Sequence, residues 1–344
     1  AVVYCRPHYT KNHNKNFQSV RLINLPSINT KRLDAITHTF FSTLHALFQD
    51  YDIIHYHGVG PSLLSWIPRI FKPKTKVVAT FHCIDRQHQK WGPFSRLFLR
   101  LGEWTICHFP HRTIAVSKTL KKYCQFNKCA AIYIPNGVTI DRSKTKSNIL
   151  TECKLTKNNY FLVVSRLVRH KGIHTLIRAF NKIKTKKKLV IVGASAKTND
   201  HADYLKILAK DNKNIIFTGQ KEKADLRTLF ENAFLFIQPS EAEGLSIALL
   251  EAISYGLPVI SSDIEENMEI IGSLGLRFKN KNSNDLKKQL AFSLKNPKLI
   301  RTMAIKAKKH VDLAYNWDNI AKKIIKVYQE ASLPEPETKK HCQD

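Results

Sequence analysis

An α/β fold built from two parallel-sheet domains is what this sequence predicts, on three observations. Short apolar runs alternate with amphipathic helical stretches along most of the chain, the order that yields parallel strands joined by helical crossovers. The alternation restarts after a polar stretch, residues 141–159, the best candidate for a linker. The length of 344 residues exceeds one typical domain, and 43% hydrophobic residues with 10% aromatic suffice for two cores.

Taken in order, Ala1-Val-Val-Tyr4 reads as the middle of a strand. A Rossmann-like domain ordinarily opens with a whole strand and a Gly-rich turn. The first residue is Ala, and Met268 and Met303 are the only methionines, so the sequence predicts that the start of the first strand and its glycine-rich loop are absent. Residues 51–57 form a strand ending in Gly58-Val-Gly60, 62–70 a helix, 76–81 a strand and 94–107 a longer helix. Residues 112–117 and 131–134 are further strands, the second ending in Pro135-Asn136-Gly137. Beyond the linker come a strand over 160–164, an amphipathic helix over 172–184, a strand over 188–193, a helix over 203–210, a strand over 214–217 and a helix over 223–232. Helices at 284–294, 298–313 and 317–331 close the chain, and the Pro/Glu/Lys tail 332–344 is predicted to be disordered.

The most informative residues lie between two buried strands, 234–237 and 258–262. They read Glu241-Ala-Glu243-Gly244-Leu245-Ser246-Ile-Ala-Leu-Leu-Glu251 and continue Ala-Ile-Ser-Tyr-Gly256-Leu-Pro258. Residues 246–255 are apolar nearly all round, so this helix belongs in an interior. Glu251 sits in its middle, where an ionised carboxylate costs several kcal/mol, on the order of 5, unless something hydrogen-bonds it. Glu243 and Gly244 lie where strand turns into helix, and free N–H groups there favour an anion. A nucleoside diphosphate supplies both a phosphate for the helix start and a ribose hydroxyl for Glu251. The rival reading, a buried Glu satisfied by the backbone or an Arg, stays open on these residues alone.

Glu243 and Glu251 form E-x₇-E followed by E-A-x-x-x-G-x-P-V, which resembles the donor-site signature of the retaining glycosyltransferases of family 4, whose fold is GT-B. The resemblance implies two Rossmann-like domains with the ligand between them. On its terms the acceptor-side domain is 1–145 with a returning helix 315–331, and the nucleotide-sugar domain is 155–314. The segment predicted to be absent would hold the family's glycine-rich loop.

Further motifs carry the same resemblance. Ser165-Arg166-Leu-Val-Arg-His-Lys171-Gly172 follows the first strand of the second half. A guanidinium and an ammonium at such a strand end can hold a diphosphate from two sides, or can be plain surface charges. The element is similar to the family's G/S-R-L-x-x-x-K-G, which implies that Arg166 and Lys171 stabilise the leaving nucleoside diphosphate. Glu243 would then approach the transferred sugar, Gly244 and Leu245 would offer N–H groups to the phosphates, and Ser246 would line the turn. Gly193 is a weak match to a phosphate loop, and Phe217-Thr-Gly219 resembles the loop that contacts the base. In the first half, Thr80-Phe-His82-Cys-Ile-Asp85-Arg86, Lys90-Trp91-Gly92 and Leu101-Gly-Glu-Trp104 look closest to a bacterial rhamnosyltransferase-like subgroup. That likeness implies His82 as a catalytic residue in the cleft, with Asp85, Arg86 and Lys90 on the acceptor side. Asn136 matches I-P-N-G-V, where a turn-shaping role competes with ligand contact.

The net charge is +29, spread over both halves: residues 1–150 carry 22 Lys/Arg against 6 Asp/Glu. Such an excess attracts polyanions, but no helix-turn-helix, zinc-finger or RNP-like pattern accompanies it, so no specific nucleic-acid partner is expected. No apolar stretch reaches the roughly 18 residues needed to span a bilayer, and no signal peptide is visible. Seven cysteines without a C-x-x-C pair read as reduced thiols and speak against a zinc site. The chain also lacks a D-x-D triplet, so neither metal nor other cofactor is expected at the donor phosphates. The predicted activity is transfer of a hexosyl or deoxyhexosyl group from a nucleotide-sugar donor to a glycan or lipid-linked acceptor. Its predicted setting is cell-envelope polysaccharide or lipopolysaccharide synthesis, in the cytoplasm or peripherally on an anionic membrane. A GT-B sugar-nucleotide epimerase and an inactive sugar-nucleotide binder remain the alternatives.

Overall fold

The structure is a computed structural model that describes residues 1–8, 16–30, 33–87, 92–140, 143, 146–195, 200–221 and 223–333. The chain divides into two compact units. One comprises Ala1–Ala115, Leu120–Ile134 and the residues from Ala321 on; the other comprises Val116–Thr119 and Pro135–Ile320.

In the first unit, β1 (Val2–Cys5), β2 (Asn16–Phe17) and β3 (Val20–Asn24) make a small sheet in the order β1-β3-β2. After α1 (Asp34–Leu47) come β4 (Ile53–His57), α2 (Val59–Ser62), α3 (Trp66–Phe71), β5 (Lys76–Phe81), α4 (Pro93–His108), β6 (Arg112–Ala115), α5 (Lys118–Phe126) and β7 (Ile132–Tyr133). Strands β4 to β7 pair in sequence order and in parallel. Val77, Val78, Ala79 and Phe81 of β5 are wholly buried, as a strand covered on both faces must be.

The helix expected over 62–70 is instead two short ones. A continuous helix would put Pro68 in its interior, where it has no N–H for the carbonyl of Leu64; in α3 it occupies the first turn and needs none. Helix α1 was not visible beforehand. It is polar at Thr37, Thr39, Ser42 and Thr43, and three of those hydroxyls return to its own carbonyls.

The second unit contains α6 (Ile149–Glu152), β8 (Tyr160–Val164), α7 (Ile173–Phe180), β9 (Lys188–Val192), α8 (Asp200–Ala209), β10 (Ile215–Gly219), α9 (Lys223–Asn232), β11 (Leu235–Gln238), α10 (Ile247–Ser254), β12 (Val259–Ser262), α11 (Glu265–Ile271), β13 (Leu276–Phe278), α12 (Ser283–Lys295), α13 (Pro297–Ala314) and the start of α14 (Trp317–Ser332). Its six parallel strands run β10-β9-β8-β11-β12-β13. The chain winds outward from β8 to β10, returns to the middle, and winds outward again from β11 to β13. The order reverses between β8 and β11, and ligands of such sheets bind beyond the carboxyl ends of the strands at that reversal. Among the described residues, no helix is long and apolar enough to cross a membrane.

The core of this unit joins Phe161, Val163, Leu176, Ile177, Phe180, Leu189, Ile191 and Ile237, all essentially inaccessible. Helix α10 starts on Ser246, whose Oγ accepts from the N–H of Leu249 at 3.4 Å. It ends at Gly256, left-handed at φ 80°, two residues before Pro258. Short α6 falls inside the stretch read as linker, and α11 and β13 were not foreseen; the first two are too short and polar to show a period.

Gly172 opens α7 at φ 67°, and a Cβ there would lie 1.8 Å from the carbonyl oxygen of Pro239. Replacing it therefore forces the loops after β8 and β11 apart. Gly172→Ala should lower the urea midpoint of the second unit by the equivalent of about 2 kcal/mol or more, whereas Gly60→Ala, where a Cβ meets nothing, should move the first unit's midpoint by only a few tenths.

Candidate functional site

The strand reversal puts the predicted donor-side residues on adjacent loops. Arg166 follows β8, and its exposed guanidinium has no partner among the described residues. Lys171 closes a 3-10 turn, Arg169–Lys171, immediately before Gly172. The loop after β11 is tied to that turn by the N–H of Glu241, which donates to the carbonyl of His170 at 2.7 Å. The Lys171 ammonium lies 2.6 Å from Glu243 Oε1, with the side chains 17% and 8% exposed. The same Glu243 oxygen accepts from Gln238 Nε2 at 2.9 Å. Lys171 and Glu243, expected to serve phosphate and sugar separately, thus form one ion pair at the sheet's switch point.

Behind that pair runs a buried polar chain. Gln238 Nε2 also donates to Ser240 Oγ at 2.8 Å, Ser262 Oγ donates to the carbonyl of Ser240, and Asn267 Nδ2 donates to Ser262 Oγ at 2.9 Å. These contacts lock the carboxyl ends of β11 and β12 to α11. Gly244, Leu245 and Ser246 are buried in the turn leading into α10.

Glu251 lies one turn into α10, half-buried, and its carboxylate has no hydrogen-bond or ion-pair partner among the described residues. Burial pushes its pKa above the usual carboxylate range. The rival reading, in which the backbone or an Arg satisfies this group, finds no such partner among the described residues. Glu266, at the start of α11, is also pushed up, by burial first and also by the charges of Glu265, Glu243 and Glu269. Gly193 (φ 144°) brings the loop after β9 against the loop after β8; a Cβ would sit 1.9 Å from the carbonyl of Ser165. Gly219 (φ 72°) accepts from the N–H of Gly193 at 2.9 Å and faces open space.

In the first unit, His82 directly follows β5, and its Nε2 lies 3.2 Å from Nδ1 of His57 at the end of β4. His57 stacks on His55 at 4.1 Å between ring centres. His55 in turn bonds Thr80 Oγ1 and the hydroxyl of Tyr328, each at 2.7 Å. Burial holds His82 down to about 4 and His55 down to about 3, the neighbouring imidazoles adding to the effect, so both rings are neutral near pH 7. Asp85 Oδ1 accepts from the Cys83 thiol at 3.2 Å. Arg86 is occupied: its Nε donates to Glu103 Oε2 at 2.7 Å, and the Tyr123 hydroxyl donates to the same oxygen at 2.6 Å. Lys90 lies outside the described residues. Asn136 is part-buried in the second unit, ahead of Gly137, which packs against the Trp317 ring.

Two family models match this chain, one in each half. "Glycosyltransferase Family 4" covers residues 1–142, and "Glycosyl transferases group 1" covers residues 149–310. The chain belongs to these glycosyltransferases. It is 28% identical to an uncharacterized glycosyltransferase of Methanocaldococcus jannaschii, over 89% of this chain and 85% of the relative. It is 25% identical to the phosphatidyl-myo-inositol mannosyltransferase of Mycobacterium leprae, over 81% of this chain and 74% of the relative. Among solved structures, the Anabaena protein HepE in complex with UDP-glucose superposes with a TM-score of 0.75 at 18% identity, over 90% of this chain and 86% of that one. The fold is accordingly GT-B.

Several residues of this glycosyltransferase's site escaped the sequence reading. Gln238 and Ser262 end strands that read as plainly apolar, and Asn267 and Glu266 belong to a helix that was not foreseen. A polar residue closing an apolar run at the carboxyl end of a parallel strand is the signal that could have found the first two.

The histidine cluster sets a pH dependence. Because burial depresses their folded-state values below 6.5, His55 and His82 favour folding fully above that pH, and the contribution is lost as pH falls from 6.5 towards 3. The first unit should lose ~1 kcal/mol or more by pH 5, seen as a falling melting temperature, and His55→Asn should flatten that slope.

Proposed function

We propose that this glycosyltransferase moves a hexosyl or deoxyhexosyl group from a nucleotide-sugar to a hydroxyl of a glycan or lipid-linked glycan, with retention, in cell-envelope polysaccharide or lipopolysaccharide synthesis. The observation that carries the reading is Glu251, an unpartnered half-buried carboxylate behind a helix start at the switch point of a doubly wound sheet. A ribose hydroxyl satisfies such a group, and the Gly244 turn suits the adjoining diphosphate. The UDP-glucose complex of HepE supports a nucleotide-sugar donor, and the mannosyltransferase of M. leprae supports a lipid-linked acceptor. The Asp85-Arg86 and Leu101–Trp104 runs support a relation to the bacterial rhamnosyltransferase-like subgroup.

In this reading Arg166, which has no competing carboxylate, meets the departing phosphate first. Lys171 turns from Glu243 towards the phosphate and frees Glu243 for a sugar hydroxyl. Leaving-group stabilisation by positioned cations and N–H groups needs no metal at the donor. The departing phosphate then accepts the acceptor's proton on the same face of the sugar, which demands positioning more than a protein nucleophile. Neutral His82 serves the reaction as a hydrogen-bond partner rather than as a charge.

Helix α4 provides the means of reaching a lipid-linked acceptor. Phe94, Leu97, Phe98, Leu101 and Trp104 form an exposed apolar stripe, flanked by exposed Arg96 and Arg100. Such a face suits an anionic bilayer surface, each Arg contributing about 1 kcal/mol.

Screening by thermal shift against UDP, GDP and deoxythymidine sugars should find one donor class that stabilises the protein. Glu251→Gln should weaken that donor about tenfold or more, and Arg166→Ala should cut turnover about 100-fold with an unchanged melting temperature. Added Mg²⁺ or Mn²⁺ should not raise the rate; near-normal turnover in the Arg166 variant would remove its role. In flotation assays the protein should rise with anionic vesicles, and Phe98→Ser with Trp104→Ser should leave it in the dense fraction.

A further inference from the structure

Three of the cysteines, from α4, α5 and the connection to β7, meet in the first unit. Cys107 is the penultimate residue of α4, Cys124 lies in α5, and Cys129 lies in the connection to β7. Their three Sγ atoms all lie within 4.8 Å of one another. Cys124 is wholly buried and Cys129 nearly so, while Cys107 is partly accessible. The N–H of Cys129 donates to the carbonyl of Cys124 at 2.9 Å, which fixes the second and third thiols relative to each other. We propose that Cys107, Cys124 and Cys129 form a thiolate site for a zinc ion.

Zn–S bonds of about 2.3 Å in tetrahedral geometry place ligand sulfurs about 3.8 Å apart, so the observed cluster needs only a small contraction. Cys107 and Cys129 also line a cavity shared with Pro110, His111, Arg112 and Thr113. The cavity provides an entry path and room for a water as fourth ligand. Three thiolates on a divalent cation leave one net negative charge. Arg112 stands at the same cavity, its guanidinium donating to the main-chain carbonyls of His111 (2.8 Å) and Glu330 (3.4 Å). Each ligating thiol gives its proton to solvent on binding, and neither sulfur nor metal changes oxidation state. The site would staple the end of α4 to α5 and to the entry of β7. It is separate from the donor phosphates, where no metal is proposed, and it departs from the sequence expectation against a zinc site, because packing brings together thiols that no C-x-x-C pair announces.

The test uses the full chain, purified reduced and stripped of metal, with cobalt(II) and zinc as probes. One cobalt per chain should bind with an intense thiolate-to-metal band in the near ultraviolet, and zinc should abolish that band. Cys124→Ser and Cys129→Ser should weaken zinc binding ~10-fold or more, while Cys153→Ser should not. Zinc should also protect the partly accessible Cys107, but not Cys153, from alkylation in the unaltered chain, which decides the matter if the serine variants do not fold. Cobalt bound without a thiolate band, or equal alkylation with and without zinc, would overturn the proposal. So would a disulfide among the three with no zinc binding after reduction.

Discussion

The donor-side half-site depends on the contact between Gly172 and the carbonyl of Pro239. It joins the loop after β8 to the loop after β11 across the reversal of strand order, with no side chain between them. A second close approach, Gly193 on Ser165, adds the loop after β9. Three strand ends are thereby held at fixed spacing, and the side chains they carry inherit that spacing. Parallel sheets present all their carboxyl ends on one edge, so fixing the loops there fixes a site.

The charges on that edge are not arranged for stability. Lys171 and Glu243 offset one another, but Glu251 and Glu266 are carboxylates pushed up by burial. A buried polar group without a partner costs about 1–3 kcal/mol, and proteins keep such groups where a ligand supplies what is missing. The polar chain from Gln238 through Ser240 and Ser262 to Asn267 has the opposite character. It is wholly internal, and its bonds hold the loop after β11, which carries Glu243, against β12 and α11.

The first unit is built on different terms. Its imidazoles His55, His57 and His82 stack at the ends of β4 and β5 and are neutral, so they contribute hydrogen-bonding direction rather than charge. Arg86, ahead of α4, pairs with Glu103 in the second half of α4, and Tyr123 of α5 donates to the same carboxylate. Removing one partner from a pair like that leaves an uncompensated buried charge, which is why such residues resemble ligand contacts in a sequence. The two roles differ only in what surrounds the guanidinium.

Local sequence by itself determined the α/β class, the two-domain plan and most strands and helices of the second unit, because apolar periodicity there is strong and uninterrupted. The motifs E-x₇-E and S-R-L-x-x-x-K-G, legible without any fold, pointed to Arg166, Lys171, Glu243 and Glu251. Tertiary structure alone decided their partnerships: that Lys171 and Glu243 pair, that Glu251 has no partner among the described residues, that Arg86 is taken by Glu103, and that Cys107, Cys124 and Cys129 converge. Spacing along a chain reports which face of an element a residue occupies. It carries no information on which side chains meet once distant elements pack, and that meeting sets charge, burial and chemistry.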